Sequence, residues 1–155
     1  AVPSVTTIDD PAELPDGVLS ASECTVPVID MSYYLPWLQA QCDARGVQTR
    51  RTEISALEEA FEHGELVVLA AGLTSNDFAA DADLVPVRGQ IAWLIPQPGA
   101  TFGIYYHGIA LLARRDGIVV QPVGEDDWFG YGDANETPDP AAARAAVEEV
   151  ATWWA

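Results

Sequence analysis

The chain has 155 residues, 49% of them hydrophobic, which fits one domain with a core of its own. Its net charge of −17 sets 24 acidic residues against 7 basic ones, all seven arginine; nucleic acid and anionic membrane are therefore not expected as partners, and Schiff-base chemistry through lysine is excluded. No apolar run approaches the roughly eighteen residues that span a bilayer, and no basic-then-apolar leader opens the sequence, so a cytoplasmic protein is expected.

Residues 1–23 carry Pro3, Pro11, Pro15 and Gly17 among acidic and small side chains, show no sustained period, and read as extended or irregular. Residues 24–29 are a short apolar, β-rich run. Asp30 or Ser32 can then cap a helix in which Tyr34, Leu35, Leu38 and Cys42 recur at helical spacing, with Gly46 as its stop. Residues 47–54 alternate as a strand would, and Ser55-Ala56-Leu57-Glu58 opens a short helix, in the manner of a capping box, that runs to about His63. Leu66-Val67-Val68-Leu69-Ala70-Ala71 is uninterrupted and apolar, the pattern of a strand buried on both faces.

Residues 77–83 read as a loop or a helical turn. Beyond them the character changes to successive strands at 87–95, 102–106, 109–114 and 118–123, separated by Pro96-Gln97-Pro98-Gly99, His107-Gly108 and Asp116-Gly117. A polar loop over 124–138 leads to a last helix with Asp139 as N-cap, Pro140 in its first turn and Ala143, Val147, Val150 and Trp154 along one stripe. The expected fold is α+β, one domain over 1–155, with an antiparallel or mixed sheet.

Cys24 and Cys42 are too few for a disulfide framework or a Cys-rich zinc site, which points to a reducing compartment. His63 and His107 show no metal-ligand spacing, so no metal is expected. Glu125, Asp126 and Asp127 with Asp133 and Glu136 do not follow an EF-hand pattern and read as a solvated acidic loop.

Taken in order, Val26-Pro-Val-Ile-Asp-Met, Tyr34-Leu-Pro-Trp-Leu, Gly46-Val-Gln-Thr-Arg-Arg, Leu66-Val-Val-Leu-Ala-Ala-Gly, Pro86-Val-Arg-Gly-Gln-Ile, Gly103-Ile-Tyr, Asp116-Gly-Ile-Val-Val, Asp127-Trp and Pro138-Asp-Pro resemble the central stretch of the D-amino-acid oxidase family of FAD-dependent oxidoreductases. The resemblance covers roughly residues 24–150. It implies that 24–85 correspond to a remnant of the family's flavin domain and 86–155 to its substrate-domain sheet and closing helix. The family holds the flavin pyrophosphate on a GxGxxG turn, and no such motif occurs in these 155 residues. Also missing is the later family segment whose arginine binds the substrate carboxylate.

Further departures fall where the resemblance implies cofactor or substrate contact. The first of two family tyrosines matches Tyr105, but the second falls on Ile109; a glycine pair is replaced by Gln121-Pro122; and residues 69–72 read Leu-Ala-Ala-Gly where the family commonly has Asn-Cys-Thr-Gly. These departures lead to the expectation of a flavin-free descendant without a cofactor. It would bind a small molecule and act, if at all, as a non-redox cyclase, isomerase or lyase in secondary metabolism. Two alternatives stand beside it: a fragment or subunit of an FAD-dependent amine or amino-acid oxidase, and a non-catalytic ligand-binding module.

The candidate catalytic residues are Tyr105, His107 and Arg88. On a strand, Tyr105 and His107 share one face and Tyr106 points the other way. A phenol can donate to a developing oxyanion and an imidazole can move protons near neutral pH, although both also occur as ordinary packed residues with wetted tips. Arg88 can clamp a carboxylate in bidentate fashion or simply pair with one of the many acids. Gln90, Trp93, Tyr106, Ile109, Gln121 and Trp128 are the expected lining of a small-molecule cavity. Uncovered strand edges make a homo-oligomer an open possibility.

Overall fold

A computed structural model describes residues 4–79 and 84–153. They form an α+β protein with antiparallel sheets and fall into two compact units. The first draws on residues 4–34, 89–129 and 137–153, the second on 35–79, 84–88 and 130–136.

The first unit opens with a hairpin where the sequence shows no period. Strand β1 (Val5–Ile8) pairs antiparallel with β2 (Ala21–Cys24), Val5 opposite Cys24 and Ile8 opposite Ala21. The Val-Thr-Thr-Ile run explains β1, since branched side chains lose little on an extended backbone. Between the strands Asp10 caps a 3-10 turn at Pro11–Glu13, Leu14 is buried, and the Asp16 amide donates to the Trp153 carbonyl at 3.0 Å.

A four-stranded sheet follows, built from β3 (Ala92–Leu94), β4 (Gly103–Tyr106), β5 (Ile109–Arg114) and β6 (Gly117–Pro122) in the order β3-β6-β5-β4, with every neighbour antiparallel. The β4–β5 connection is His107-Gly108, with φ of +47° and +67°, the signs that a tight type I′ turn needs. Glycine is required at 108 for a second reason: a Cβ there would lie 2.8 Å from the Gly124 carbonyl carbon. Arg115 and Asp116 turn β5 into β6, and the Arg114 guanidinium grips the Asp116 carboxylate through two bonds of 3.0 and 2.9 Å.

Helix α4 (Pro140–Thr152) covers one face of this sheet. Its start is determined by Asp139, whose carboxylate accepts from the amides of Ala141 and Ala142, two donors that would otherwise have no partner within the helix. Ala146, Val147, Val150 and Trp153 meet Ala92, Leu94, Ile104, Tyr106, Ile109, Leu111, Ile118 and Val120 to form the core. Each aliphatic side chain fully buried there contributes about 1.5–3 kcal/mol. The expected stripe is thus shared by its middle members; Trp154 lies outside the described residues.

Helix α1 (Met31–Ala44) begins where the sequence reading puts it, with the Asp30 carboxylate accepting from the Ser32 amide and hydroxyl, and none of its residues is buried. In the second unit α2 (Leu57–Phe61) replaces the longer helix expected to His63, and it is Glu59, not Glu58, whose carboxylate reaches back to the Ser55 amide. Helix α3 (Ser75–Ala79) follows a 3-10 turn at Gly72–Thr74.

Two expected strands are absent: residues 47–54 and 66–71 form no ladder, and Leu66 and Val68 are 85% and 81% exposed. An apolar run becomes a buried strand only where neighbouring strands accept its backbone groups, and none lies beside it among the described residues. The strand expected over 87–95 shortens to β3, with Val87 making a lone bridge to Tyr131. No helix among the described residues is long and apolar enough to cross a membrane.

Candidate functional site

Antiparallel alternation divides the sheet side chains between two faces. The α4 face is core. The other face carries Tyr105, Ala110 and Gln121 in one cross-strand row, and Trp93, Val119 and Leu112 in another. Tyr105 is 57% exposed and Trp93 53%, so this is the side of the sheet on which a small molecule can meet aromatic and amide groups together.

Tyr105 is the best-defined member. Its hydroxyl donates to Asp127 Oδ1 at 2.5 Å, and this bond, followed by desolvation and the nearby Asp127 and Asp126 charges, holds the phenol above its ordinary range. Asp127 sits at φ +60°, a backbone region that aspartate and asparagine tolerate better than most residues. The loop that carries it is tied down by Val123 and Gly124 amides donating to the Gly108 carbonyl and by the Phe129 amide donating to Val123. Trp128, the next residue, is exposed.

His107 does not share the face of Tyr105. The left-handed turn rotates its ring onto Tyr106, with centroids 4.0 Å apart and planes 18° from parallel, and brings Nδ1 to 3.3 Å from Glu149 Oε1 of α4. Tyr106 in turn meets Trp153 edge-on at 5.4 Å. Tyr106 and Ile109, both expected in the cavity lining, lie instead against α4, Ile109 being 6% exposed.

Arg88 belongs to the second unit, where Nη1 lies 3.3 Å from Asp133 Oδ2. The ion pair depends on a close backbone approach, since a Cβ on Gly130 would lie 2.1 Å from the Arg88 carbonyl oxygen. Asp133 is held below its ordinary range, first by the Asn135 amide and then by Arg88. The carboxylate clamp expected of Arg88 thus already holds an internal carboxylate.

Gln90 is buried as a backbone partner: Oε1 accepts from the Asp139 amide at 2.8 Å and Nε2 donates to the Ile91 carbonyl at 3.3 Å. The Trp93 indole donates to the Asp116 carbonyl at 3.1 Å and lies under the Arg114 guanidinium, 5.0 Å from the ring centre. Of the nine expected residues, then, Tyr105 and Gln121 share one row of the open face with Ala110 of the intervening strand between them, Trp93 lies farther along the face, and Trp128 follows Asp127.

Asp127 was read from sequence as part of a solvated acidic loop and, with Trp128, of a segment resembling the family; its place beside Tyr105 needs the fold to become visible. A second feature also escaped. In the second unit, Gln48, Thr49, Arg50, Thr52, His63 and Leu66 contribute to the lining of an open depression of about 730 Å³. Residues 47–54 read as a strand on alternation alone, which hides a lining role.

A family model for FAD-dependent oxidoreductases matches residues 8–155. The chain belongs to this family. Curated relatives include a D-amino-acid oxidase of Rubrobacter xylanophilus, 30% identical over 141 residues that make up 87% of this chain and 41% of the relative. Another is a D-amino-acid oxidase of Streptomyces coelicolor, 30% identical over 139 residues, or 81% of this chain and 39% of the relative. D-aspartate oxidase 1 of Caenorhabditis elegans is 40% identical over 60 residues, 37% of this chain and 18% of the relative. The chain spans about two fifths of the length of the D-amino-acid oxidases it matches.

These matches overturn the expectation of a protein without a cofactor, since the family and the oxidases in it point to FAD. They also lend nothing to a flavin-independent cyclase, isomerase or lyase. The described residues do not themselves fit the flavin's pyrophosphate. Each helix of more than one turn and a half begins on an aspartate carboxylate, Asp30 for α1 and Asp139 for α4, which occupies the amides an anion would need and repels its charge.

Proposed function

We propose that this chain is a fragment or subunit of an FAD-dependent amine or amino-acid oxidase, contributing the sheet face against which substrate is held. The phosphate-cradling glycines come from residues other than these 155. The observation that carries the reading is the family match over 8–155 together with a tyrosine, Tyr105, standing exposed on the face that α4 leaves open, in the same cross-strand row as Gln121 and with Ala110 between them. A flavin supplies the electron chemistry that no side chain here can supply.

In this reading Tyr105 and Gln121 orient the substrate by hydrogen bonds, and Trp93 supplies apolar wall. His107 and Arg88 have structural work instead, one at a hairpin turn against α4 and the other in an ion pair. The two cysteines, Cys24 and Cys42, are free thiols.

The test is peroxide release from D-amino acids by the protein purified with whatever its gene encodes on either side of this segment. Turnover is expected, and Tyr105→Phe should lower kcat/KM by about tenfold, the worth of one hydrogen bond to substrate. Absence of turnover across neutral, basic and acidic D-amino acids sinks the oxidase reading.

A further inference from the structure

Resting on that reading, and deepening it to a substrate class, we propose that Asp127 sets the charge preference of the Tyr105 site. It selects substrates whose side chain is a cation, an ammonium or guanidinium, over dicarboxylates.

A phenol has one hydrogen to give, and that of Tyr105 is directed to Asp127 Oδ1. What the pair presents outward is therefore only acceptors: the lone pairs of the phenol oxygen and the second carboxylate oxygen, which no other described residue engages. A surface of acceptors takes N–H donors and repels another carboxylate. In the same row, the amide that has hydrogens to donate is that of Gln121, two strands away beyond Ala110.

Charge adds to this. Asp126 precedes Asp127 and acts on Tyr105 with the same sign. The cation on β5, Arg114, is engaged by Asp116 and lies 3.7 Å from Asp30, at the far end of the strand from the row that holds Tyr105. Trp128, the next residue in the chain, is 61% exposed, and an aromatic ring face attracts the same class of cation.

Asp127 is also a clean place for a test. Its left-handed backbone suits asparagine as well as aspartate, so Asp127→Asn removes the charge, keeps an oxygen for the Tyr105 hydroxyl, and leaves the loop in place. The experiment titrates the 155-residue chain, without flavin, with D-arginine, D-alanine and D-aspartate, following the side-chain NMR signals of Tyr105 and Trp128. D-Arginine should bind about fivefold more tightly than D-aspartate, the upper range for an exposed charge pair, and Asp127→Asn should erase the preference. Glu148→Gln, an equal loss of charge on α4, should leave it intact.

Equal binding of the three amino acids overturns the proposal, as does silence toward all three. A preference that survives Asp127→Asn, or falls equally in Glu148→Gln, does the same. Because no readout involves flavin or turnover, a protein that prefers cations here yet releases no peroxide would refute the oxidase reading and not this one.

Discussion

Asp133 and Asp30 both keep their carboxyl groups below the usual range, for different reasons. Asp133 does so mainly through the Asn135 amide, with Arg88 assisting; Asp30 does so mainly through the Ser32 hydroxyl. A group whose folded pKa is depressed contributes stability that is present above its unfolded value, here near 3.8, and lost as pH falls through the folded value. Acid unfolding followed by tryptophan fluorescence should therefore be shallower below that pH in Asp133→Asn than in the parent chain. Tyr105 runs the other way. Its raised folded pKa means that its contribution is present below pH 10 and lost as pH climbs through the folded value. Tyrosinate absorbance should show the late titration of Tyr105 moving to lower pH in Asp127→Asn, because its hydrogen bond to a carboxylate becomes one to a neutral amide and the charge beside it has gone. From sequence alone Arg88 stood open between a ligand clamp and an ion pair. The close approach of Gly130 decides for the ion pair, and it comes from 42 positions away, where no local pattern signals it.

At the scale of elements, the start of α4 rests on two side chains. Asp139 caps its first amides, and Gln90, 49 positions earlier, accepts from the Asp139 amide itself. Asp139→Ala should cost about 1 kcal/mol. Gln90→Ala leaves a part-buried amide without its acceptor and should cost about 1–3 kcal/mol, with a lower urea midpoint and an unchanged m-value. The cap was legible, since Asp-Pro before an alanine-rich stripe is a local signal. The role of Gln90 was not, because an amide on a strand looks the same whether it faces a ligand or a backbone. The same contrast holds along the sheet. Residues 109–114 and 117–122 form the expected hairpin because short loops and apolar runs determine each other locally. His107 went astray for the reason the hairpin succeeded: the strand alternation that pairs it with Tyr105 stops at the turn, and two residues of positive φ swing its ring to the helix side.

Across the whole molecule, apolar character and burial part company. Leu66, Val68 and most of the large side chains of α1 are exposed, although their sequence reads as core. Periodicity reports the environment a segment is suited to, and whether that environment forms depends on partners elsewhere in sequence. Replacing Leu66 with Gln and Val68 with Thr should change stability by no more than about 0.5 kcal/mol, while lowering self-association in light scattering; a large loss of stability would show that these side chains are buried. The α+β class and the family were legible because ordered short segments carried them. The cofactor was not: the missing glycine turn and the replaced residues at 109 and 121–122 pointed away from a flavin that the family match and the oxidases within it restore. The most direct test is the visible spectrum of the protein, purified in the presence of FAD with whatever its gene encodes around this segment. Flavin absorbance that co-elutes with the protein and bleaches when a D-amino acid is added without oxygen is the predicted result. A colourless protein, or a bound flavin that no D-amino acid reduces, would contradict it.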